Sequence, residues 1–440
     1  MLGWSGCALT GDDPSEKVFI KYFGEDGNQE GVDMLVAANG FYLLGNTVRS
    51  NSSNGRQILL LKTDLKGNEI GRWEFGGPAD DFAKDIEFTL DGNLVIGANS
   101  VQAATGSDAM IIKVSLTGQE LGKTVVDFGG SDETVSSVSV LSDGGFVLMG
   151  STDNATIKPD QTPATPPALT DTHDIMQLRF DQNLVQIPSW NRAIGVDFSD
   201  FGIKMYEILP PPTNHPRRYY IFGYTNVLRT NPFDPPNTNN FNYWITSVSE
   251  NGDAVGSSLY SQLPGNSNEF LSAVEFNSNA GDLGYLLTGV SRSSNRNDIY
   301  VVKTKPQINF DIPAPLSGPD PVPYTDIVFS QQLQLNLGSV ASNVTNVFPT
   351  SNGYFIVSNA KNSATGGSTD WLLTRVEQSG GVGWAVPVLL GGGGEDSVGS
   401  VKQLPDGSIV VFGTFEIGSE RREKKMALIK LTKDGKLQPE

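Results

Sequence analysis

One acidic position recurs along the chain at the spacing of a repeat. Glu30, Asp81, Glu133, Asp200, Glu269 and Asp396 each stand five residues before the matched apolar residue of a β-type run, and Ser339 holds the place in the remaining copy. Such acids have two uses. Gathered in a ring around an axis, they form a cation site or an electronegative funnel for a cationic partner. Taken singly, each accepts backbone N–H groups and pins the turn that leads into its strand. Repetition favours the second use, because a catalytic site needs one set of groups and not six. The neighbouring acids Asp80-Asp81 and Glu395-Asp396 also supply the two carboxylates a glycosidase requires. Within a repeated turn, capping is the simpler role for them.

Other motifs offer less. Asp26 to Gly31 (D-G-N-Q-E-G) has the alternating oxygens of a calcium loop, but Ala37 stands where the bidentate acid belongs. No cofactor is expected from the motifs, and Ca2+ is the one ion for which they offer oxygens. Thr117 to Thr124 (T-G-Q-E-L-G-K-T) resembles a phosphate loop with its first glycine missing, and it joins two strands instead of leading into a helix. His173 and His215 are the only histidines and fall in different loops, so no zinc cluster forms from them. No nucleophile motif is present, and Cys7 has no histidine in register. Phe233, Phe241, Tyr243, Trp244 and Tyr224 gather around one insertion. They suit a sugar or protein platform, although strand alternation sends about half of such residues into the core.

The elements that must position these residues are read from Phe75 to Val114. Three β-type runs lie there, Ala83 to Thr89, Asn93 to Asn99 and Ala109 to Ser115, the first two joined by Asp91-Gly92, a hairpin turn pair. A fourth, Leu121 to Phe128, ends in Phe128-Gly129-Gly130, and the cycle restarts. Third strands recur at Gln57 to Thr63, Asp108 to Val114, Asp174 to Phe180, Asn242 to Val248, Asp298 to Thr304, Asp370 to Val376 and Lys425 to Leu431. Each is a nearly continuous apolar run, as expected of a strand covered on both faces. With 49 Gly, 25 Pro and only 18% charged residues, the composition fits short strands and turns. The excess of 49 acids over 31 bases argues against nucleic acid, whose phosphates need clustered Lys and Arg. No apolar run is long enough for a membrane-spanning helix.

The period predicts an all-β, seven-bladed β-propeller of four-stranded antiparallel blades over residues 17–440. The last copy stops after its third strand, while Lys17 to Gly24 is a spare fourth strand at the start, so the N-terminal strand is expected to close the last blade. Residues 1–16 read as a tether. Small residues before Cys7 and a polar tail after it resemble the end of a bacterial lipoprotein signal, with Trp4 where such signals usually carry Leu. That resemblance implies lipidation at Cys7, export, and membrane contact through the anchor alone.

The blades resemble bacterial secreted and surface β-propeller repeats reading F-G-G-x-x-D-D, then D-G-G, then an aspartate-led third strand. The likeness is good in copies two, three and seven and weakest in four and five. It implies a non-enzymatic binding or scaffold module at the cell surface, with an outer-membrane transport or secretion complex as the expected protein partner. A carbohydrate-binding protein or carbohydrate-active enzyme using the acidic face is the alternative. Pro-rich insertions at Thr152 to Thr172 and Asn226 to Asn240 are expected on one face, and those at Pro210 to Arg217 and Pro306 to Pro323 on the other.

Overall fold

The computed structural model describes residues 18–437 apart from 51–54, 129–131, 154–172, 196–198, 209–217, 227–240, 261–267, 294–296, 309, 311–325, 336–344, 362–367, 385 and 419–421. Cys7, His215, Phe233, Ser339 and nearly all of the four Pro-rich insertions lie outside the described residues. Seven four-stranded antiparallel sheets make up the fold, all in up-and-down order. Blade one runs Asn28–Ala37, Gly40–Val48, Gln57–Thr63 and Glu69–Phe75; blade two runs Asp81–Phe88, Leu94–Gln102, Gly106–Val114 and Glu120–Val126. The pattern repeats to blade seven, where Ser397–Gln403, Ile409–Ile417 and Glu423–Leu431 are completed by the N-terminal Phe19–Phe23. Phe23 pairs with Met426 and Phe19 with Lys430, so the two ends of the chain share one ladder. This is a seven-bladed β-propeller closed by its first strand.

The blades hold together through seven apolar clusters, one at each seam. Third strands are buried on both faces, as at Leu59, Leu60 and Leu61, which explains why they lack polar alternation. Full burial of each such side chain contributes about 1.5–3 kcal/mol. Polar staples add direction. Asn46, Asn99 and Asn359, on second strands, each accept a backbone N–H from the innermost strand of the next blade, those of Ala83, Val135 and Val398 at 2.8–3.0 Å.

Those innermost strands are bulged. In six blades the register slips by one residue, at Val32, Lys84, Ser136, Ile203, Ser272 and Gly399. A bulge adds local twist and turns an extra residue toward the axis. In blade three a glycine accommodates the bend: a Cβ on Gly150 would stand 1.9 Å from the Thr134 carbonyl oxygen.

Candidate functional site

The innermost strands surround an axial cavity of about 440 Å³. Its mouth is the end where these strands begin. On the mouth side of each bulge comes first a capping residue, then a rim residue. The capping residues Asp81, Glu133, Asp200, Glu269 and Asp396 are at most 3% exposed, so they turn into the seams and not toward the opening. Asp81 accepts the N–H of Gly77 at 2.7 Å, and Asp396 accepts those of Gly392 and Glu416 at 3.1 and 2.9 Å. Glu133 accepts the hydroxyl of Thr152 at 3.3 Å. The first copy shows a slip of one position. The bulge at Val32 places Gln29, fully buried, in the capping place, and Glu30 becomes a rim residue. Glu30 is paired with Arg56 and, at 2.7 Å, with Lys424; although burial pushes its carboxyl up, these two cations outweigh that and hold it low.

The calcium-like turn at Asp26 to Gly31 is filled by a side chain. The Lys425 ammonium donates to the carbonyls of Glu25 and Gly27, the latter at 2.9 Å, and to Gln29 Oε1 at 3.2 Å. Thr117 lies in a turn between two strands, with no helix following.

Deeper in the cavity the charges answer one another. Lys204 Nζ lies 2.9 Å from Glu87 and 3.8 Å from Asp85. Burial opposes the charge on Lys204, but Asp85 and Glu87 outweigh it and raise the ammonium above its usual range. Burial also raises Asp85 well above an ordinary carboxylate, with Lys204 pulling against it and Asp33 adding to it. On blade five Glu275 is raised by burial against the pull of Lys402 and Lys204. Asp85 has a further task, accepting the N–H of Val138 at 3.0 Å. Two carboxyls, Asp85 and Glu87, thus share one ammonium, 3.8 and 2.9 Å away.

The mouth itself is divided. The rim residues following the capping position are Glu30, Phe82, Thr134, Phe201, Phe270 and Ser397. Beside Glu30 the cations Arg56 and Lys424 make this part of the rim charged, and Arg56 is stacked 4.9 Å above the Phe82 ring. At the same strand positions blades four and five carry an aromatic cluster. Phe201 stacks on Tyr224 at 4.8 Å and on His173 at 5.1 Å, Phe241 lies 4.9 Å from Phe270, and the Arg292 guanidinium covers Phe270 at 5.1 Å. These rings are half-buried. Tyr224 and Phe241 were indicated by the sequence; Phe201, Phe270 and His173 join them from other blades. The sequence signal that marks Phe82, Phe201 and Phe270 is an aromatic directly after the capping acid. Tyr243 and Trp244 do not belong to this patch. Both are buried in the seams beside blade four, and Tyr243 donates to the carbonyl of Tyr300 at 2.9 Å.

No protein-family model matches the chain, and no curated protein matches it. Solved structures do. An ulvan lyase of polysaccharide lyase family PL25, bound to GlcA(1-4)Rha3S, aligns over 95% of this chain and 97% of its own with a TM-score of 0.52 and 7% identity. An α-L-arabinofuranosidase from Fusarium graminearum aligns over 78% and 91% with a TM-score of 0.45 and 9% identity. A Bacteroides caccae protein of unknown function aligns over 82% and 94% with a TM-score of 0.40 and 10% identity. What the likeness to the lyase establishes is the propeller fold.

Proposed function

We propose that this propeller is a binding module that takes a carbohydrate across the mouth of its axial cavity, without cleaving it, as an exported protein displayed at the cell surface. The observation that carries this is what stands where the innermost strands begin: half-buried rings on blades four and five, and on blades one, two and seven the charged groups Glu30, Arg56 and Lys424. Sugars combine apolar C–H faces, which stack on aromatic rings, with hydroxyls that bond to carboxylate and guanidinium groups. Of the capping acids, Asp81 and Asp396 are committed to backbone donors, and all five are buried away from the opening. The anchor at Cys7 and an envelope protein partner remain proposals of the same kind, consistent with display at a surface.

Glycan-array screening followed by calorimetry tests the proposal. Neutral and acidic oligosaccharides are expected to bind, and Phe270→Ala and Tyr224→Ala, each checked for folding, to weaken binding at least tenfold, about 1.4 kcal/mol. Absence of any glycan ligand, or affinity indifferent to both substitutions, sinks it. A second reading has one observation behind it, the Asp85–Lys204–Glu87 group. Release of new reducing ends, lost in Asp85→Asn with binding kept, replaces the binding module with an enzyme.

A further inference from the structure

Among the described residues, the first residue of a third strand meets the capping residue of the next blade at seam after seam. At the seam between blades seven and one that first residue is Lys425, whose ammonium bonds to the turn carbonyls and to Gln29. Between blades one and two it is Gln57, whose amide donates to the carbonyls of Arg56, Gly77 and Ala79 at 2.8–3.3 Å. The fold thus presents oxygen acceptors at this point, and in these two seams a built-in nitrogen donor answers them.

The seam between blades two and three has no such nitrogen. Asp108 stands in the place of Lys425 and Gln57, facing Glu133. A third carboxylate, Asp127, comes within reach, and ligand oxygens of all three lie within 4.8 Å of one another. Asp127 is specific to this seam. Its position, the first after the paired end of the fourth strand, is glycine in the copies carrying Gly24, Gly76, Gly195 and Gly391. Those glycines are enforced: a Cβ at Gly76 would stand 2.5 Å from Asp81, and one at Gly391 2.2 Å from Asp370. From Val126 to Glu133 the connection is one residue longer than from Phe75 to Asp81, and a side chain is accommodated.

Two oxygens at the centre of the cluster are unanswered. Thr105 donates to one oxygen of Asp108 at 2.9 Å and Thr152 to one of Glu133 at 3.3 Å. The other two, Asp108 Oδ1 and Glu133 Oε2, have no hydrogen-bond partner, on side chains 4% and 0% exposed. Leaving buried anionic oxygen unpaired is costly, and a hard cation is the ligand that satisfies it. Burial first, then the charges of Asp108 and Asp127, push the Glu133 carboxyl up to about 8, against the N–H of Phe128 and the Thr152 hydroxyl. Asp127 is exposed, which gives an ion a way in from solvent.

We infer that Asp108, Asp127 and Glu133 form a divalent-cation site of calcium type, a structural clip doing for blades two and three what the Lys425 ammonium does for blades seven and one. The all-oxygen donor set, drawn from carboxylates on separate strands and a connection, suits Ca2+ better than the strict octahedron of Mg2+. The inference does not depend on what the mouth of the cavity binds.

The test uses the whole chain, stripped with EDTA and titrated with CaCl2 or MgCl2 while thermal unfolding and calorimetric stoichiometry are followed. Calcium is expected to raise Tm saturably, with one ion bound per chain. Asp127→Gly restores the residue of the sister copies and should fold while losing at least tenfold in calcium affinity; Asp108→Asn and Glu133→Gln should abolish the response. No saturable shift in the unaltered chain overturns the inference, as does a shift undiminished in Asp127→Gly. A response to Mg2+ stronger than to Ca2+ overturns the calcium assignment.

Discussion

The two seams flanking blade seven share a backbone frame and differ in charge. On one side Lys425 faces Gln29, and an internal ammonium binds the turn. On the other Asp370 faces Asp396, both at most 3% exposed, and the Asp396 carboxyl is pushed up to about 6, by burial first and by Asp370 and Glu416 after it, against the N–H groups of Glu416 and Gly392. The frame needs only that something bond to the turn. Which residue does so decides whether a seam is indifferent to pH or carries a titration into the mildly acidic range.

The contrast breaks most completely if the frame itself is removed. Deleting the chain through Gly24 takes away Phe19–Phe23, the partner of Glu423–Leu431 in the closing ladder. The expected outcome is loss of the cooperative unfolding transition by circular dichroism, with association through the bared edge seen in size-exclusion chromatography. A truncated chain that still melts as one unit would show that closure is dispensable.

Lys425→Met comes next. It removes the ammonium and leaves its carbonyl acceptors unanswered, and urea denaturation should show a loss of about 2 kcal/mol, the size of a charge-assisted bond. A loss below about 0.5 kcal/mol would mean that water replaces the ammonium at no cost.

The smallest effect is a slope. Because the folded value of Asp396 lies above its ordinary one, folding favours the protonated form. Its contribution is full below about pH 4 and is lost as pH rises through about 6. Asp396→Asn should flatten stability against pH between those limits, while Lys425→Met leaves that slope unchanged. Equal slopes in the unaltered chain and Asp396→Asn would erase the distinction between the seams.

The period, the blade number and the closing strand are legible in the sequence because turn pairs such as Asp91-Gly92 and doubly buried third strands repeat with little noise. The phase of blade one is less so. Met34, Leu35 and Val36 are all apolar, and the bulge at Val32 removes the two-residue alternation that would have chosen Met34 over Leu35, so Glu30 takes the place that belongs to Gln29. The aromatic patch was half visible. Tyr224 and Phe241 lie near each other in sequence, but Phe201, Phe270 and His173 reach them only because strands from neighbouring blades end at one level. The seam pairs were hidden for the same reason, since Asp108 and Glu133 meet across a blade boundary that local spacing does not describe.

Closure by the first strand also sets an order in time. Lys425 reaches Glu25 across 400 residues, so the earlier segment waits for the later one. Until Glu423–Leu431 has emerged, Phe19–Phe23 has no partner and the turn after it has no ammonium. A nascent chain therefore carries this strand unsatisfied while the six blades between are made, and whatever handles that chain in the cell must keep the strand from pairing elsewhere until its partner arrives.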